Sequence, residues 1–317
     1  IGCRIAGRHY EVTTHRAEAY ASDSRKPQVV FSDDVEVDLS RRDFTVNAMA
    51  LPVEGGDLVD PFGGARHLSE GSLVGVSARI FRDDPLRLMR APRFCHVLGL
   101  QMHDGLEELL RREVRLVARA AGERVTNELV LTLEAGRTAE AARRWDDLGL
   151  LEVLLPEASA AADAGTGGRN EREPFWAALD RLDHLLEQPR TLLPDRWGDV
   201  LWARLEQPVD GVFSRPVALR FAAILGEPDP EEVAAVTGRL HLSSALLSLL
   251  RAQAQCFSSG ACAADALTAS ARPGRATVSW LWNAAPWEPE ILLLAGVRAE
   301  PATGSGQHLV PDPVATL

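Results

Sequence analysis

The chain has 317 residues, 46% of them hydrophobic, and a formal net charge of −11 at pH 7. That is enough apolar material for a large core and for more than one domain; no run approaches the ~18 consecutive apolar residues of a spanning helix, so none is expected in this sequence. The four cysteines, Cys3, Cys95, Cys256 and Cys262, form no CxxC pair, which argues against a zinc site or disulfide framework and fits a reducing cytoplasm. The N-terminus, IGCRIAGRHYEV, has no basic region followed by an apolar run, so it does not read as a secretion signal. The acidic balance counts against nucleic acid in bulk. However, arginines crowd residues 79–119 and 137–144, and a basic groove on an acidic protein is consistent with that.

In chain order, residues 1–16 read as two short strands around Gly7-Arg8, with Tyr10 and Val12 on one side of the second. Residues 17–35 are polar and turn-rich. Asp38 or Ser40 is expected to cap a short helix across RRDFTVNAMA. DLVDPFGG gives a short strand and a tight turn. Pro85 suits a first helical turn. LRLMRAPRFCHVLGL is helical in pattern, and Pro92 is expected to kink or break it. Leu106, Leu109, Leu110, Val114 and Val117 repeat at helical spacing, as do residues 124–135 and 137–151, up to Leu155-Pro156. Residues 158–174, rich in Ala, Gly and charge, read as a linker. Helices resume from Phe175 to about Cys256. The tail after 270 shows no clear periodicity, and its last dozen residues are expected to be disordered.

Three clusters carry candidate chemistry. Arg41-Arg42-Asp43 leads into a segment with Asn47. Asp83-Asp84-Pro85-Leu86-Arg87 continues to Arg90 and Arg93. Glu123-Arg124 is followed by Glu128. Residues 84, 87, 90 and 93 step by three, so on a helix one carboxylate and three guanidiniums share a stripe. A carboxylate accepts from an exocyclic amine of a base, and a guanidinium donates to ring nitrogen, carbonyl or phosphate oxygens. Spacing alone also fits plainer roles. Asp84 suits an N-cap or a surface pair with Arg87, and Arg41, Arg42, Asp43 and Asn47 suit a solvated helix start. Glu123 and Glu128 suit ordinary helix-face charges.

DLSRRDFTVNAMA resembles the second signature of the class II tRNA nucleotidyltransferase and poly(A) polymerase family, the bacterial CCA-adding type. DPFGG follows at the expected place. RDDPLRLMRAPRFCHVLGL resembles the family's nucleotide-selecting helix, and GERVTNEL with the run to LLPE resembles the adjoining neck helices. The likeness covers about residues 8–157. It implies an α+β fold: a partial, polymerase-β-like nucleotidyltransferase head followed by a mostly α-helical neck, body and tail. Position by position, it implies that Arg42 contacts the incoming nucleotide and that Asp84 and Arg87 read the Watson–Crick edges of C and A. Arg90 and Arg93 would add further nucleotide contacts, with Arg41, Asp43 and Asn47 in support. Glu11 aligns with a carboxylate on the third strand of the head, a catalytic position, and equally fits a strand surface residue.

The family's GGxVRD turn and DxD pair, which hold two Mg²⁺ ions, have no counterpart before Glu11. The expectation is a chain that begins after that segment, with no metal ligands of its own and no activity as residues 1–317 alone; a catalytically dead RNA- or nucleotide-binding relative is the alternative. Asp83 replaces the usual glutamate. In the C-terminal half, where some relatives carry an HD phosphohydrolase domain, Gly226-Glu227 stands where a His-Asp pair is expected, and His184 and His241 are isolated. A degenerate helical domain follows from this. The expected division is head 1–60, neck 61–157, linker 158–174, HD-like helices 175–260 and tail 261–317. The expected activity is template-independent addition of C and/or A from CTP and ATP to the tRNA 3′ end, with release of pyrophosphate, in the cytoplasm and without a membrane partner.

Overall fold

Ala6 and Gly7 take φ of +48° and +79° in the computed structural model. That pairing makes the tight turn whose twist suits a hairpin, and β1 (Gly2–Ile5) folds back on β2 (Arg8–Glu11), with Ile5 opposite Arg8 and Gly2 opposite Glu11. The structure describes residues 1–19, 28–163, 173–188, 195–258 and 282–298. They fall into two units, Ile1–Leu116 and Val117–Leu317.

In the first unit, β3 (Arg16–Ala19) pairs antiparallel with β4 (Gln28–Phe31), where the sequence suggested only turns. Strands of four residues show too little alternation to announce themselves, and the partner strand supplies what periodicity lacks. The helix expected across RRDFTVNAMA lies one segment earlier. It is α1 (Val35–Ser40), capped by Asp34, whose carboxylate accepts from the Glu36 amide at 2.8 Å. Neither Asp38 nor Ser40 caps it: Asp38 accepts from arginines, and the Ser40 hydroxyl donates to the Val37 carbonyl near the helix end. Beyond Ser40 the backbone bonds sideways. Thr45 N–H donates to Val74 O, and Val76 N–H donates to Asp43 O. Only a single 3-10 turn, Thr45–Asn47, remains helical.

Ala50 and Val59 exchange backbone hydrogen bonds across the next loop. The DPFGG turn then starts α2 (Gly64–Ser69), with the Asp60 carboxylate accepting from the Gly64 and Ala65 amides at 2.6 and 3.0 Å. Gly64 is obligatory on steric grounds, since a Cβ there would sit 2.1 Å from the Thr45 carbonyl oxygen. Short parallel strands β5 (Ser72–Leu73) and β6 (Gln101–Met102) bracket α3 (Ile80–Asp83) and α4 (Arg87–Leu98), and α5 (Asp104–Glu113) follows. Pro92 neither breaks nor ends α4. It is buried within one continuous helix that stops at Gly99, φ +68°. The missing Pro92 N–H forfeits one backbone bond, and the buried ring contributes apolar contact in exchange. The core of this unit joins Leu39, Phe44, Leu73, Ile80, Phe81, Leu88, Met89 and Leu110.

The second unit is helical: α6 (Gly122–Glu134), α7 (Thr138–Asp147), α8 (Leu150–Leu154), α9 (Pro156–Asp163), α10 (Glu173–Glu187), α11 (Asp195–Leu205), α12 (Arg215–Leu225), α13 (Pro230–Leu240), α14 (Ser244–Ser258) and α15 (Glu288–Arg298). Apolar α12, buried along nearly its whole length, packs against α6, α9, α10, α11, α14 and α15. A helix hydrophobic on all sides belongs at the centre of a bundle. Helix α9 occupies the start of the expected linker, with Glu157 in its first turn accepting through both carboxylate oxygens from Arg239 Nη2. Helix α15 stands in the tail, where a Pro-rich approach masked the apolar run ILLLAGV. The last dozen residues lie outside the described residues. No helix is long and apolar enough to cross a membrane among the described residues.

Candidate functional site

The first unit ties the Arg41–Asn47 turn to α4 by side-chain bonds that span forty-odd residues of sequence. Arg87 donates from Nη2 to the Arg41 carbonyl at 2.6 Å and from Nη1 to the Ile80 carbonyl at 3.5 Å. One turn along, Arg90 donates from Nε to Asp43 Oδ2 at 2.7 Å. One turn further, Phe94 meets Phe44 edge-on at 5.4 Å between ring centroids. The guanidiniums of Arg93 and Arg90 lie over the Phe94 ring at 4.6 and 5.4 Å, within reach of a cation–π attraction.

Asp43 is the buried centre of this joint. Besides Arg90, its Oδ1 accepts from the Phe44 amide at 2.9 Å and the Asn47 side chain at 3.3 Å. Burial pushes the Asp43 carboxyl pKa up, but the Arg90 charge and hydrogen bond, with the Phe44 amide and Asn47, outweigh it and hold the pKa below its ordinary value.

Asp84 lies outside the helical stripe expected from spacing. It is extended, at φ −144° and ψ 105°, between α3 and α4, and its Oδ1 accepts from the Leu86 amide at 3.1 Å. The carboxylate therefore sits at the start of the helix that carries Arg87, Arg90 and Arg93 along one face. Arg41 and Arg42 share a buried carboxylate that spacing had offered only as a cap. Asp38 Oδ1 accepts from Arg41 Nε and Nη2 at 3.1 and 2.6 Å, and Oδ2 accepts from Arg42 Nη2 at 3.2 Å. The signal for this was present as the separations of three and four residues to Arg41 and Arg42.

Glu11 is not part of this joint: it is exposed at the end of β2, paired across the hairpin with Gly2. Among the described residues, no group of three or more His, Cys, Asp or Glu side chains could hold a metal ion. The described residues therefore do not supply a magnesium site. In the second unit, Glu128 is buried in α6, and Glu123 lies 3.6 Å from His241. Gly226 ends α12 with φ +73°, its carbonyl accepting from Gln253 at 2.7 Å, and Glu227 pairs with Arg298. His184 is exposed on α10.

The first unit, α+β, thus locks an arginine-rich turn to α4, the helix that follows the extended Asp84, and the second unit is helical. The "Poly A polymerase head domain" family matches residues 1–74, and the "Probable RNA and SrmB- binding site of polymerase A" family matches residues 99–162. A CCA-adding enzyme of Bacillus velezensis is 37% identical over 182 residues, 54% of this chain and 45% of that protein. A CC-adding tRNA nucleotidyltransferase of Geobacter sulfurreducens is 30% identical over 278 residues, 87% of this chain and 57% of that protein. The chain thus spans about half the length of these curated relatives. The fold is shared with a solved CCA-adding enzyme in an apo form, at TM-score 0.65 and 23% identity over 92% of this chain and 62% of that one. It is shared also with a Thermotoga maritima CCA-adding enzyme complexed with tRNA, at TM-score 0.59 and 23% identity over 84% and 58%. Over these segments the chain is similar to poly(A) polymerases and to CCA-adding and CC-adding tRNA nucleotidyltransferases.

Proposed function

We propose that the full-length gene product is a template-independent RNA nucleotidyltransferase that adds C and/or A from CTP and ATP to the 3′ end of tRNA and releases pyrophosphate. The observation that carries this reading is the joint itself, in which Arg87 and Arg90 bind the Arg41–Asn47 turn and thereby hold Asp84, Arg87 and Arg42 in one unit. Names of relatives agree with it: CCA-adding and CC-adding enzymes, and solved forms with tRNA and with CTP.

In this reading the protein, not a template strand, supplies the pairing edge. C and A both present an exocyclic amine where U and G present a carbonyl. Asp84 accepts from that amine, and Arg87 donates to the ring nitrogen beside it. Arg87 is held by main-chain carbonyls, so its planar fork is fixed before the base arrives. Arg42 takes the sugar or triphosphate, which carries no base identity. The tRNA hydroxyl forms the new bond to the α-phosphorus as the bond to pyrophosphate breaks. Magnesium is the cation the family implies. The described residues do not supply its ligands, and no step is derived through it. The helices from residue 61 to 157 would hold the acceptor end by shape and phosphate contacts, and tRNA maturation places the protein in the cytoplasm.

The test is extension of tRNA lacking its 3′ CCA by the full-length protein, with each of the four nucleotides supplied singly and together with Mg²⁺. Products longer by C, by A or by both, with little U or G, support the reading. No extension, or equal use of all four nucleotides, refutes it.

A further inference from the structure

Asp38 is buried, at 4% exposure, and both its oxygens accept from guanidiniums of successive residues. The two arginines are held differently. Arg41 is gripped through two of its nitrogens at 3.1 and 2.6 Å, its side chain only 21% exposed. It ends α1, and its carbonyl is the anchor for Arg87. Arg42 is held at one point, 3.2 Å away, with its side chain 44% exposed.

We propose that Asp38 is a positioning residue that aims Arg42 at the anionic, triphosphate end of the incoming nucleotide; this rests on the function proposed above. A single carboxylate between two guanidiniums offsets their mutual repulsion and leaves the trio with a formal charge of +1. An arginine fork binds phosphate oxygens through two parallel N–H groups, and the one-point hold on Arg42 leaves donors of its five for that purpose. The hold also removes rotamer freedom before the ligand arrives, which lessens the entropy lost on binding. The asymmetry makes the grip releasable. If phosphate draws Arg42 away, Arg41 still neutralises Asp38, so no buried charge is stranded. An ordinary exposed pair at this helical spacing would have an exposed carboxylate and contribute little; Asp38 is buried.

The experiment is steady-state addition to tRNA by the full-length protein carrying Asp38→Asn, Asp38→Glu, Arg42→Ala, or Asp38→Asn with Arg42→Ala. Melting temperature is read beside it. Asp38→Asn is expected to raise KM for CTP and for ATP alike, by about ten-fold, with discrimination against UTP and GTP unchanged. The double variant is expected to be no worse than Arg42→Ala alone. If Asp38→Asn does not fold, Asp38→Glu, which keeps the charge but moves it, is expected to raise KM in the same nucleotide-independent way. A lowered melting temperature with KM unchanged, or effects that multiply in the double variant, overturns the positioning role. Arg42→Ala with unchanged KM removes Arg42 from the nucleotide site, and so contradicts the functional reading itself. An Arg42→Ala defect beside a silent Asp38 contradicts only the inference drawn here.

Discussion

Asp43 shows why a side chain beside a proposed nucleotide site can be structural first. Its carboxylate is buried and accepts from Arg90, the Phe44 amide and Asn47. With its folded pKa below the ordinary value of 3.8, the unfolded chain takes up a proton first as pH falls. The associated stability is therefore complete above that ordinary value and is lost as pH falls through the lower folded value. Asp43→Asn is expected to lower stability at neutral pH by about 2 kcal/mol and to flatten the acid end of the stability curve. Urea unfolding from pH 7 down to pH 3 reads both, and an unchanged acid limb would contradict the assignment. Cys256 offers a second check at this scale. Burial pushes its thiol up to about 11, so little thiolate forms at neutral pH. Among Cys3, Cys95 and Cys256 it is expected to be the slowest to alkylate at pH 8, measured by mass spectrometry of the intact fold.

Element by element, two contacts decide whether the observed helices hold. A methyl at residue 64 would meet the Thr45 carbonyl at 2.1 Å, so α2 cannot approach the Thr45–Asn47 turn with anything but glycine there. Gly64→Ala is expected to destabilise the first unit by about 3 kcal/mol or more, an overpacking cost at the upper end of its range, visible as a lower melting temperature. In the second unit, Asp183 accepts from the Thr138 backbone amide and hydroxyl at the start of α7 and from Arg220 on α12. Removing that carboxylate strands Arg220 in the core. Asp183→Ala is therefore expected to cost about 3–5 kcal/mol, and a loss below about 1 kcal/mol by denaturant titration would refute the account. Strongly periodic elements were legible in the sequence: α5, α6 and the helices from Phe175 to Cys256 follow from apolar spacing alone. The α1 boundary was not. Asp34, Asp38 and Ser40 are all competent caps, and the choice depends on Asp38 being occupied by Arg41 and Arg42 and on residues 43–45 bonding to residues 74–76. Those are tertiary facts. Asp84 shows the same limit. Its identity was legible, whereas its extended backbone and its bond to Leu86 were not, because Pro85 delays the helix to Arg87.

At the scale of the whole molecule, a net charge of −11 and the proposed tRNA partner are compatible only if contact is local. Binding of tRNA is expected to weaken as salt rises, with a slope set by the few phosphates engaged rather than by net charge; a flat response between about 50 and 200 mM salt would contradict a phosphate-borne interface. The central claim is that the protein itself reads the base, and Asp84→Asn isolates it. An asparagine side-chain oxygen accepts from the amide two residues on as a carboxylate does, so the bond to Leu86 and the melting temperature are expected to survive. The amide, however, can turn a donor toward the carbonyl of U or G where the carboxylate can only accept. The measurement is incorporation of all four nucleotides into tRNA by the full-length wild-type protein and by Asp84→Asn, beside their melting temperatures. The account predicts unchanged melting and a relaxation of the preference for C and A over U and G by about ten- to a hundred-fold. Wild-type selectivity in the Asp84→Asn protein would contradict it.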